Sequence, residues 1–151
     1  MIMKKIVIYF SASGVTAKRA KELASVTGSD VKAIVPAQSY SPADLDWMDH
    51  KSRSYQENLD DAVRPALKQG TVDFAGYDRI YLGFPIWWGI APKVINTFIE
   101  SNDLRNKEIV IFATSGGSGL QPAVRTLQKQ YPKLDIKAGK LLNSSVKGDI
   151  I

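Results

Sequence analysis

The chain has 151 residues, 44% apolar and 23% charged, with no cysteine, 20 basic residues against 15 acidic ones and a formal charge of +5. That length makes one domain with a sizeable core, and those fractions are not those of a disordered, collagenous or coiled-coil chain. Without cysteine, and with a lone His50, a disulfide scaffold, a thiolate metal centre, an iron–sulfur cluster, a thiol nucleophile and a Ser–His–Asp triad all fall away.

In chain order, Lys5–Phe10 is a short run of Ile, Val, Tyr and Phe that reads as a buried strand. Gly14–Ser25 follows as a helix with Ala17, Ala20, Leu23 and Ala24 on one stripe, and Asp30–Val35 is a weaker second strand. Pro36–Gly70 is polar and holds Pro42 and Pro65, so it is read as a long connection with short helical turns. For Asp60, Asp61 and Arg64-Pro65 a local charged turn is expected, with the proline opening a helix. Asp78–Phe84 and Glu108–Ala113 repeat the buried-strand pattern, and Leu134–Leu142 is a fifth strand interrupted near Gly139. Between them, Pro92–Glu100 stripes Val94, Ile95, Phe98 and Ile99, and Leu120–Tyr131 stripes Leu120, Val124 and Leu127 before Pro132 stops it.

Strands apolar on both faces, alternating with helices, predict a doubly wound three-layer α/β domain over residues 1–151, a parallel sheet in the order 2-1-3-4-5. Ligands of such sheets bind at the carboxyl ends of the strands where the order reverses. Here that edge gathers the loops after strands one, three and four. The longest uncharged apolar run, within Ile80–Pro92, is too short and too rich in Gly and Pro to span a bilayer. Ile6–Phe10 is shorter than a secretory core. We therefore expect a cytoplasmic protein away from membranes. The pI near 9.4 comes with no Lys/Arg run beyond pairs and no nucleic-acid module, so no nucleic acid is expected as partner.

The first loop, Ser11-Ala12-Ser13-Gly14-Val15-Thr16, sets three hydroxyls and a tight turn at a helix N-terminus, where backbone amides and the helix dipole attract a phosphate. It lacks the Gly-Lys-[Ser/Thr] of a P-loop and is not GxGxxG, so a single monoester phosphate suits it best. The second, Pro85-Ile86-Trp87-Trp88-Gly89, puts two large indoles at a strand end. Neighbours on a strand cannot both point inward, so one is expected to line a pocket for a flat ligand. The third, with Ser115, Gly116 and Gly117, lets backbone approach a ligand closely, with free amides for carbonyl groups.

The run Val7-Ile8-Tyr9-Phe10-Ser11-x-x-Gly14-x-Thr16-x-x-x-Ala20-x-x-Leu23 resembles the flavodoxin signature, and Pro85-Ile86-Trp87-Trp88-Gly89 resembles the ring-binding loop of one flavodoxin subgroup. The resemblance implies FMN as cofactor. Its 5′-phosphate would lie on Ser11, Ala12, Ser13, Gly14, Val15 and Thr16, and its ring against Pro85, Ile86, Trp87, Trp88 and Gly89. Ser115, Gly116 and Gly117 would contact the pyrimidine edge. Gly89 would carry the peptide that reorients when flavin N5 gains a proton. Asp44, Asp46, Trp47 and Ser52-Arg53-Ser54 are similar to the subgroup's long connection, with Arg53 read as a solvated loop arginine. No catalytic residue and no metal ligand is implied.

The expected role is electron transfer with redox partner proteins. An FMN-dependent NAD(P)H or quinone reductase is the alternative on the same fold, and a module that kept the fold without the cofactor is a third. A phosphoacceptor receiver domain has this topology but needs acids where Ser11 and Phe84 stand. Two departures from the family carry expectations of their own. The basic chain, with Ile90 where an acid is frequent, predicts a less strongly lowered potential and acidic partners. No aromatic residue lies between Phe112 and Tyr131, which predicts one open ring face. Finally, only Asn143–Ile151 follow Leu142, so the last helix is expected to be missing or truncated. That would leave apolar sheet surface beside strand one bare, or covered by a second copy in a homodimer.

Overall fold

The computed structural model describes residues 3–69 and 71–151; Met1, Ile2 and Gly70, the end of the expected long connection, lie outside it. The elements are β1 (Lys5–Tyr9), α1 (Val15–Thr27), β2 (Asp30–Ala33), α2 (Arg53–Leu59), β3 (Arg79–Pro85), α3 (Lys93–Ser101), β4 (Glu108–Thr114), α4 (Leu120–Gln130) and β5 (Asp135–Leu141). All neighbouring strands pair in parallel, in the order β2-β1-β3-β4-β5, with Ile6 opposite Ile80 and Ile80 opposite Ile109. This is the α/β flavodoxin-like arrangement expected from the strand pattern.

Alternate residues of the central strands face opposite layers. Ile6, Ile8, Ile80, Leu82, Ile109 and Ile111 meet the apolar stripes of α3 and α4, including Val94, Ile95, Val124 and Leu127. Val7, Tyr81, Val110 and Phe112 meet Ala20, Leu23 and Ala24 of α1. Gly83 in β3 admits the Phe112 ring: a Cβ there would lie 2.0 Å from Phe112 Cζ. β5 runs through Gly139 with a register shift against β4 between Ile111 and Ala113, and a Cβ at Gly139 would lie 2.6 Å from the Ile111 carbonyl oxygen. The expected interruption is thus a bulge inside a continuous strand.

Two expectations need correction. No fifth helix forms among the described residues after β5, but the α1 face of the sheet is not bare. Leu142, Val146 and Ile150 of the tail pack on the cluster that holds Val7, Tyr81 and Phe112. The tail is tied down by Leu142 N–H to the Ala113 carbonyl (2.7 Å) and by the Tyr81 hydroxyl to Asp149 Oδ1 (2.9 Å). A second copy is not needed to cover that surface. Nor does Pro65 start a helix. Arg64 Nε donates to Glu100 Oε2 (3.0 Å), and Ala37 and Lys68 amides pair with the Ala66 and Val35 carbonyls, which holds this stretch extended beside the end of β2. Among the described residues no helix is long and apolar enough to cross a membrane.

Candidate functional site

The three loops singled out in the sequence lie at the carboxyl ends of β1, β3 and β4. In the first, Ser11 Oγ accepts from the Gly14 amide at 3.1 Å, and Gly14 turns through φ 94° into α1. Among the described residues, the amides of Ala12, Ser13, Val15, Thr16 and Ala17 donate to no protein group. A cluster of unclaimed N–H groups at the positive end of a helix, in a loop with no carboxylate, fits a phosphate. Thr16 is only 2% exposed, and its Oγ1 lies 2.8 Å from Thr114 Oγ1. That buried bond ties the loop to the end of β4. A cavity of about 350 Å³ opens beside the loop, with Ser11, Ala12, Gly14 and Tyr40 in its wall.

After β3, Trp87 and Ile90 exchange both backbone hydrogen bonds, at 3.0 and 3.1 Å. Trp88 and Gly89 are therefore the central pair of a two-residue hairpin, with φ 49° and 80°. Both signs are those of a type I′ turn. A left-handed backbone is ordinary for Gly89 and strained for a tryptophan, the kind of strain that clusters at ligand sites. The turn separates the indoles. Trp87 packs edge-on against Phe10 (5.8 Å) and Tyr40 (5.4 Å), while Trp88 is 38% exposed and edge-on to Tyr55 of α2 (5.5 Å). One tryptophan in and one out is the arrangement expected from their adjacency.

After β4, Ser115 Oγ accepts from the amides of Gly117 (3.1 Å) and Ser118 (2.7 Å), and the Ser115 amide donates to Asn143 Oδ1 (3.0 Å). Of the amides expected to be free, that of Gly117 is thus held by the loop itself and that of Ser115 by Asn143. Between this loop and the hairpin lies a cavity of about 500 Å³, with Ile86, Trp87, Trp88, Gly117 and Ser118 in its wall. Sequence reasoning missed its remaining lining: Leu45, Trp47 and Ser54 of the long connection. A Trp-Met pair inside a polar stretch was the available signal, since both are left exposed.

Arg53 also departs from its expected place. It is half-buried, with Nε on Glu57 Oε2 (2.9 Å), Nη1 on the Gln38 carbonyl (2.8 Å) and its guanidinium 3.8 Å from the centre of the Tyr40 ring. It fastens the connection instead of standing in solvent. Burial, reinforced by the hydrogen bond to Glu57, pushes the Tyr40 phenol above its ordinary range, so Tyr40 stays neutral.

A parallel sheet in the order 2-1-3-4-5, with an amide-rich loop after β1 and an aromatic cavity beside the loops after β3 and β4, defines a protein of the flavodoxin-like fold. The flavodoxin family profile matches residues 4–151. The chain belongs to the flavodoxin family. It is 47% identical to a candidate flavoprotein of Bacteroides uniformis ATCC 8492, with a TM-score of 0.93, 95% of this chain and 92% of that one covered. A flavoprotein of Lactobacillus acidophilus NCFM, solved in complex with FMN, is 22% identical over 93% of both chains, with a TM-score of 0.76. Oxidised flavodoxin 2 of Bacillus cereus shares the fold at 17% identity and a TM-score of 0.52, over 91% of this chain and 83% of that one. No curated protein matches the sequence.

Proposed function

We propose that this flavodoxin-family chain binds FMN, phosphate on the 11–16 loop and ring in the cavity between the Trp88 hairpin and the 115–119 loop, and carries electrons between partner proteins. The observation that supports this best is the set of unclaimed amides at the start of α1, which the Thr16–Thr114 hydrogen bond ties to the end of β4, where an aromatic cavity of ring-binding size opens between the β3 hairpin and the next loop. FMN supplies the redox chemistry when bound. The chain's own residues bind, orient and shield it. Trp87 keeps the hairpin anchored in the core, Trp88 offers a flat face, and Gly89, at φ 80°, has the backbone freedom that a turning peptide needs. Among the described residues, the side chains that line the ring cavity are apolar, aromatic or hydroxyl groups, which suits a carrier better than an enzyme that moves protons for its substrate.

The connection that reaches the ring cavity is acidic although the chain is basic. Residues 44–61 carry Asp44, Asp46, Asp49, Glu57, Asp60 and Asp61 against Lys51 and Arg53, a local charge of −4 in a chain of +5. The whole-chain charge favours an acidic partner, and we propose from the local sign of this connection that a partner docking over it presents a basic patch there. Mixing the FMN-loaded protein with NAD(P)H in the absence of oxygen tests the carrier reading. A carrier keeps its yellow colour until a separate reductase is added; direct bleaching would replace the carrier by a reductase.

A further inference from the structure

The ring cavity has an outer side made by a segment to which no binding role has been given. Leu45, Trp47 and Ser54 reach it from the connection between β2 and β3. Two features there are unexplained by folding alone. Trp47 is 68% exposed, a large indole left in water in the wall of an aromatic cavity. Ser54 is 2% exposed, and its Oγ is buried with no hydrogen-bond partner among the described residues. A buried hydroxyl without a partner is costly, and among the described residues nothing offsets it.

The segment is also held in place. Ser52 Oγ accepts from the Tyr55 amide (3.4 Å), the Ser54 amide donates to the Asp44 carbonyl (2.9 Å), and Arg53 clamps the Gln38 carbonyl. The backbone that carries Ser54 is therefore held in a fixed position before any ligand arrives.

We propose that this segment is the second wall of the flavin ring site, with Trp47 stacking on the ring and Ser54 Oγ hydrogen-bonding a heteroatom on its edge. An isoalloxazine has one apolar end and one edge rich in nitrogen and oxygen, and the cavity matches both kinds of surface. Trp47 takes the place of the aromatic residue missing from the 115–119 loop, so the ring face expected to be open is covered from the connection. This rests on FMN binding as proposed above.

The test is titration of the flavin-free protein and of its Trp47→Ala, Trp47→Phe and Ser54→Ala variants with FMN and with lumiflavin, the ring without its phosphate chain. Flavin fluorescence and the melting temperature of the flavin-free forms are followed together. Trp47→Ala should weaken FMN binding by about tenfold or more and restore part of the quenched flavin fluorescence, with Trp47→Phe close to wild type. Ser54→Ala should weaken both ligands while leaving the flavin-free melting temperature unchanged or raised, which a merely structural hydroxyl would not do. If wild type binds FMN but Trp47→Ala and Ser54→Ala bind it equally well with equal quenching, the second wall is refuted and the FMN site stands. If wild type takes up no FMN, the underlying reading fails as well. Trp47 is exposed, so its variants keep the test decisive should Ser54→Ala fold poorly.

Discussion

Thr16 and Thr114 meet through a single buried hydrogen bond between the first turn of α1 and the end of β4. Either hydroxyl alone would be stranded without the other. Thr16→Val or Thr114→Val should each cost about 1–3 kcal/mol, whereas the double variant should recover most of the loss, because no unpaired hydroxyl then remains. Urea denaturation of the four proteins measures it, and additive losses would show that the pair is not coupled. Gly89 offers a second check. Nothing crowds its missing Cβ, so Gly89→Ala should cost only the left-handed backbone penalty, about 1–2 kcal/mol. Residues on a contiguous motif, such as Gly14, Thr16 and the Trp87-Trp88 pair, were legible in the sequence because strand, turn and helix start lie next to one another. Trp47 and Ser54 were not, since only the folded connection carries them to a cavity formed some 30 to 70 residues further along the chain.

The elements themselves were legible where burial is two-sided. β1, β3 and β4 read as continuous apolar runs because helices or the tail cover both faces. β2 is shorter than expected because it is an edge strand with mostly exposed side chains. The absent helix at Pro65 depends on the distant Glu100 and on pairing with residues 35–37, neither of which local propensity can report. At the amino ends of β3, β4 and β5, Glu108 is held by Lys137 Nζ (2.6 Å) and by Arg79. The Lys137 ammonium foremost, with Arg79, holds its carboxyl below the usual glutamate range against the opposing effect of burial. A depressed carboxylate stabilises the fold above its unfolded value, about 4.3, and that contribution disappears as pH falls through the folded value. Glu108→Gln should therefore be less stable than wild type at neutral pH, with the gap closing as the pH is lowered below about 4. A gap independent of pH would argue that packing, not charge, is what Glu108 contributes.

For the molecule as a whole, the short tail does what a last helix would otherwise do. Val7, Tyr81, Val110 and Phe112 are all fully covered, and Ile150 packs onto Val110 and the Gly139 backbone. Counting helices in the sequence could not reveal this, because a few apolar residues held by the Tyr81–Asp149 bond seal the face without regular structure. Ile150→Ala should cost about 2–5 kcal/mol, as for other buried aliphatic truncations. Removing residues 146–151 should expose the α1 face, with binding of an apolar dye and self-association by light scattering. A truncated protein that stays monomeric and dye-free would show the tail to be dispensable.

The most direct measurement is fluorescence titration of the flavin-free protein with FMN beside riboflavin. Our account predicts quenching of the flavin by FMN binding and at least tenfold weaker binding of riboflavin, since riboflavin gives the α1 amides no phosphate to hold. Equal affinity for the two would contradict the phosphate loop, and no binding of either would contradict the flavin site altogether.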